Sequence, residues 1–201
     1  MIEPVARIRI ELQDIQPTIW RRVDVPLSCT LMMLNDIIQV AMGWQDTHLF
    51  DFRIGDRAYG VPSDEMDGPR VFSAKSLRLR DVVARGVERF LYVYDFGDDW
   101  RHDVTIEAVR DGEPDIDYPV FVGGAGRGPP EDVGGPYGFM AFLEAALNPV
   151  HPEHRRMLEW YGGPFRPDDI DEAQIRRILG WIAYRRRGPL ASQRDRRGRT
   201  R

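Results

Sequence analysis

The chain has 201 residues, 42% of them hydrophobic and 10% aromatic, enough for one domain with a substantial core. No uncharged apolar run approaches the ~18 residues needed to cross a bilayer, and the N-terminus has none of the features of a signal peptide. The single cysteine, Cys29, excludes an intramolecular disulfide and a Cys-x-x-Cys zinc site, so a buried small residue and a cytoplasmic protein are expected. The net charge of −4 hides an asymmetry. From Arg185 to Arg201 eight arginines stand against Asp195, a local +7, which leaves −11 on the rest. The expected division is a single domain over residues 1–184 and an Arg-rich, flexible tail over 185–201.

In chain order, Ala6 to Leu12 alternates apolar and charged residues and predicts a half-buried strand. A second extended run, Ile19 to Val25, ends at Pro26. Thr30 is placed to cap a helix with Leu31, Leu34, Ile37, Ile38 and Ala41 on its apolar face and Gly43 at its end. Strand pattern returns at His48–Ile54, and Ala58-Tyr59 follows a Gly55-Asp56 turn. Residues 61–75 read as a loop, and Ser76–Arg85 as a short strand running into a helical turn.

Phe90 to Val109 predicts a hairpin. A three-residue loop at Gly97-Asp98-Asp99 would set Phe96 opposite Trp100, Tyr94 opposite His102, and Asp95 opposite Arg101 on the other face. A Gly/Pro-rich loop is expected from Pro119 to Pro136. Three helical patterns follow, carrying Phe139, Phe142, Leu143 and Ala146; then Met157, Leu158 and Tyr161, with Pro152 in the first turn; then Ile175, Ile178, Leu179 and Ile182 behind an Asp171 cap. The fold class is therefore α+β, a mainly antiparallel sheet with helices on one face and a helical C-terminal portion.

Five segments occur together: Pro17-Thr18-Ile19-Trp20-Arg21-Arg22, Met42-Gly43-Trp44 with His48-Leu49, the run from Tyr94 to His102, Pro129 to Gly135, and His151-Pro152-Glu153 before Trp160. In this order they resemble the plasmid pRiA4b open-reading-frame-three family, also met as insertion-sequence passengers labelled TnpR. The resemblance covers roughly Val5 to Tyr184. It implies a compact α+β domain associated with mobile genetic elements, without a defined activity. It also implies cysteines near the positions of Phe121, Gly128 and Val133, and a second histidine at Phe50, none of which this chain has.

The candidate chemistry is acidic and histidine-bearing. His48, Asp95, Asp98, Asp99, His102, Glu131 and Asp132 are donor types suited to a divalent metal. Local readings compete with this one. Gly97-Asp98-Asp99 is ordinary turn chemistry, Asp95 can pair with Arg101, and His102 can be a hydrogen-bonded core histidine. The glycines from Gly123 to Gly128 lack the Gly-Lys-Ser/Thr ending of a phosphate loop. Arg185, Arg186, Arg187, Arg194, Arg196, Arg197, Arg199 and Arg201 suit non-specific contact with phosphates.

No nucleophile–base pair stands out, which favours binding over catalysis. The first expectation is an accessory binding domain that contacts nucleic acid through the tail. The alternatives are a metal-dependent hydrolase or nuclease with catalytic candidates Asp98, Asp99, His102 and Glu131, and a module whose acidic surface recognises a basic protein.

Overall fold

Ala6, Ile8, Ile10 and Leu12 are buried while Arg7, Arg9 and Glu11 between them are half-exposed, so β1 (Pro4–Leu12) has one apolar and one charged face. This strand pairs antiparallel with β2 (Trp20–Pro26) on one side and with β7 (Trp100–Asp111) on the other. Residues 2–62 and 70–187 are described by the computed structural model. The remaining strands are β3 (Phe50–Ile54), β4 (Arg57–Gly60), β5 (Val71–Ser73), β6 (Arg89–Tyr94) and β8 (Val120–Ala125). Together they form one sheet in the order β5-β4-β3-β6-β7-β1-β2-β8, antiparallel except for the β4–β5 pair. The chain is α+β, as its pattern predicts.

The five helices are α1 (Leu31–Met42), α2 (Leu79–Ala84), α3 (Gly135–Leu147), α4 (His154–Tyr161) and α5 (Glu172–Arg187). Ile8 and Ile10 share one continuous core with Leu34 and Ile38 of α1, Phe139 and Phe142 of α3, and Ile175 and Leu179 of α5. The charged face of the same strands is laced by Arg7–Asp24 at 2.8 Å, Arg22–Glu107 at 2.7 Å and Arg89–Asp103 at 3.0 Å. Helix α1 has the expected caps. Thr30 Oγ1 accepts from the Met33 amide at 3.2 Å, and Gly43 ends the helix at φ 87°. Cys29 is buried beside that cap, and burial pushes its thiol up to about 12.

Four expectations are corrected. The hairpin pairs Tyr94 with Trp100, Val93 with Arg101 and Tyr92 with His102, two residues away from the expected register. The cause is local: Asp95 takes φ 55° and accepts the Asp99 amide on its carbonyl at 2.6 Å, so the turn spans residues 95–99. Phe96 is consequently exposed rather than packed. The segment expected as a Gly/Pro loop contains β8, recruited by β2 with Val23 opposite Phe121. Val71–Ser73 forms β5 where a loop was expected, and residues 63–69 lie outside the described residues. Pro152 precedes α4 instead of lying in its first turn.

Helix α5 runs through Arg187, three residues past the expected boundary of the domain. Arg186 is tied to the body: it donates to the Tyr118 carbonyl at 2.9 Å, to Ser28 Oγ at 2.8 Å and to Glu3 at 3.0 Å. It is therefore committed to the domain rather than to a ligand. The Gly188-Pro189 stop and Arg194, Arg196, Arg197, Arg199 and Arg201 lie outside the described residues.

Candidate metal centre

Three loops meet at one end of the sheet. The first runs from the Gly43 cap of α1 to β3 and carries His48; the second is the turn after β6 and begins with Asp95; the third links β8 to α3 and carries Glu131 and Asp132. The first loop is fixed by Asn35 Nδ2 donating to Asp46 at 2.9 Å and by Gln39 Oε1 accepting the Asp46 amide at 3.0 Å. Trp44 binds it to the third loop, its Nε1 donating to the Pro129 carbonyl at 2.8 Å. The approach needs glycine at Gly128, where a Cβ would collide with the Met42 carbonyl. At Gly135, φ is 68° and a Cβ would meet the Asp98 carbonyl, so glycine also lets α3 begin against the hairpin turn.

His48 Nε2 lies 2.9 Å from Asp132 Oδ1, 3.5 Å from Asp95 Oδ2 and 4.0 Å from Glu131 Oε2. The nitrogen is shielded from solvent, yet no carboxylate is aligned to accept a hydrogen bond from it. Two of the three carboxylates are held from behind. Asp95 Oδ1 accepts the Gly97 amide at 2.9 Å, leaving Oδ2 toward His48. Glu131 Oε1 accepts the Gln45 amide at 2.8 Å and the Tyr94 hydroxyl at 3.0 Å. Asp132 has its backbone in the left-handed region at φ 57°.

His48, Asp95 and Asp132 each offer a donor atom within 4.8 Å of the others. Donors sharing an ion at about 2.1–2.3 Å lie ~3 Å apart when adjacent and ~4.5 Å apart when opposite, so the set is close to a coordination sphere. Two carboxylate charges ~5 Å apart repel by roughly 3 kcal/mol at an effective dielectric of about 20. A cation bound between them offsets that repulsion.

The other expected donors lie elsewhere. Asp98 accepts the Gly134 amide on Oδ2 at 3.1 Å and joins the hairpin turn to α3. Asp99 pairs with Arg101 at 2.8 Å, taking the partner expected for Asp95. His102 is fully buried, with its ring edge-on to Trp44 at 5.2 Å and its Nδ1–H donating to the Trp100 carbonyl at 3.1 Å. Burial pushes its pKa down to about 3.

Several residues that shape the site carried no obvious chemical signal. Tyr94 looks like core by its alternation, but its hydroxyl meets Glu131 and also accepts the Thr47 amide at 3.1 Å. Burial and the nearby Glu131 carboxylate raise its pKa, keeping the phenol a donor. Trp44 stacks on Tyr94 with ring centroids 4.9 Å apart. Arg21 is buried without a carboxylate partner among the described residues. It donates to the carbonyls of Ala41 at 2.6 Å, Trp20 at 2.8 Å and Ala125 at 3.0 Å, holding the end of α1 to β8. Its position on the inward side of β2, alternating with Val23 and Val25, was the available signal.

Beside the cluster a cleft of about 430 Å³ opens between Glu131 and Asp132 on one side and Gln45, Arg127, Trp160 and Gln174 on the others. No helix among the described residues is long and apolar enough to cross a membrane.

Comparison with known proteins identifies a family, and similar proteins include the two described below. The profile described as plasmid pRiA4b ORF-3-like protein matches residues 4–174. The uncharacterized protein y4hQ of Sinorhizobium fredii (strain NBRC 101917 / NGR234) is 39% identical over 175 residues, 86% of this chain and 87% of that protein. The crystal structure of MM3350 from Methanosarcina mazei Go1, a protein of unknown function, is similar with a TM-score of 0.78 and 30% identity, covering 87% of this chain and 97% of that one.

Proposed function

This chain belongs to the plasmid pRiA4b ORF-3-like family, and we propose that it is a divalent-cation-binding domain, with the ion held by His48, Asp95 and Asp132 at the mouth of the cleft. The observation that carries this is the shielded His48 Nε2, facing carboxylate oxygens at 2.9 and 3.5 Å with no hydrogen bond to either. One imidazole among carboxylates suits an ion of the Mn²⁺ class better than a thiophilic one. Glu131, held by Tyr94 and Gln45, stands beside the ion as a further oxygen donor or as a partner for its bound water.

Positions of the coordination sphere that the protein does not fill would face the cleft. The test is calorimetric titration of the full chain with Mn²⁺ and Mg²⁺. Tight 1:1 binding that weakens at least tenfold in both His48→Ala and Asp132→Asn, and is unchanged in Asp99→Asn, is the expected result. Binding that ignores His48, or no binding by the wild-type chain, overturns the proposal.

A further inference from the structure

Helix α5 buries Ile175, Leu179 and Ala183 against the body. Its outward side carries Arg177, Trp181 and Tyr184 at i, i+4 and i+7, one stripe along the helix, with Arg185 one turn beyond Trp181. Trp181 is 61% exposed and Tyr184 59%, and the two rings meet edge to face with centroids 6.3 Å apart. Gly180, one residue before Trp181 and one turn before Tyr184, has open space where a Cβ would stand. Arg177 has no hydrogen-bond or ion-pair partner among the described residues.

Charge selects the partner for this surface. Arg177 and Arg185 are exposed on it, and the 17 residues from Arg185 to Arg201 carry eight arginines against one acid, Asp195. The rest of the chain is acidic, so a basic partner would be drawn to the body and repelled here. The complement of adjacent arginines and exposed aromatic rings is a polyanion that also offers planar groups. Duplex nucleic acid keeps its bases stacked inside, whereas a single strand presents phosphates and base faces together.

We propose that the outward face of α5 binds single-stranded nucleic acid, with Trp181 and Tyr184 stacking on bases and Arg177 and Arg185 contacting phosphates. The site shares no residue with the metal centre, so the two stand or fall separately.

The test is fluorescence anisotropy of a labelled oligothymidylate titrated with the full chain at several salt concentrations. Affinity is expected to fall steeply with salt and to exceed that for a duplex of equal length. Trp181→Ala and Tyr184→Ala should each weaken binding about tenfold, while Trp181→Phe retains most of it. Arg177→Ala should lower the salt slope by about one phosphate contact. Both aromatic side chains are exposed, and unchanged thermal melting of the variants checks that they fold. Undiminished binding by the double variant Trp181→Ala/Tyr184→Ala would overturn the proposal, as would tighter binding to duplex or no binding. So would wild-type self-association that the double variant abolishes, since the face would then be an interface between copies.

Discussion

The Tyr94 hydroxyl donates to Glu131 at 3.0 Å, and the same oxygen accepts the Thr47 amide at 3.1 Å. A core strand thereby fixes both the loop that carries His48 and the loop that carries Asp132. Tyr94→Phe removes that oxygen and leaves the ring packing intact. We expect a stability loss of about 1–2 kcal/mol in urea unfolding, and Mn²⁺ affinity reduced about tenfold, as for a residue that orients a ligand. Equal Mn²⁺ affinity in the variant would show that the loops hold their positions without it.

Arg21 is the second test of how the end of α1 is held. Burial lowers its pKa to about 10, so it remains protonated at neutral pH. Arg21→Met keeps much of the volume but leaves the carbonyls of Ala41, Trp20 and Ala125 without their donor. The expected cost is about 2–4 kcal/mol in urea unfolding, with Arg21→Lys also destabilised because an ammonium cannot span the same acceptors. A stability change below about 0.5 kcal/mol for Arg21→Met would contradict this role.

His102 makes the protein acid-labile in a defined window. In the fold it takes a proton only near pH 3, and in the unfolded chain near its ordinary value of 6.5. Between those limits the unfolded state binds more protons, so the contribution to stability is complete above about pH 6.5 and is lost as pH falls toward 3. Other groups titrate in the same range, so the comparison is with His102→Phe, which keeps an aromatic ring beside Trp44 and Tyr92. The wild-type urea midpoint should fall more between pH 7 and 4.5 than that of the variant. Parallel declines would contradict the assignment.

Strand β1 and helix α1 were legible because their information is local. Ile8, Ile10 and Leu12 alternate with charges, and Thr30 and Gly43 mark the two ends of α1. The hairpin strands were also legible, but their register was not. It depends on Asp95 adopting φ 55°, a conformation that aspartate tolerates and that the sequence pattern does not force. Strand β8 was hidden because Val120, Phe121 and Val122 give way to glycines, and its pairing comes from β2, about a hundred residues away in the chain. At the site, residue type alone identified His48, Asp95, Glu131 and Asp132 as candidates. It could not separate them from Asp98, Asp99 and His102, because the separation is made by nonlocal contacts: Trp44 to Pro129, Gly128 against Met42, and Tyr94 to Glu131.

Crystals of the full chain grown with Mn²⁺, measured at the manganese absorption edge, test most directly whether His48, Asp95 and Asp132 hold one divalent ion. The expected result is an anomalous peak about 2.2 Å from His48 Nε2 and within similar reach of Asp95 and Asp132 oxygens, absent in His48→Ala crystals. A map with no peak there, and with His48 hydrogen-bonded directly to Asp132, would contradict it.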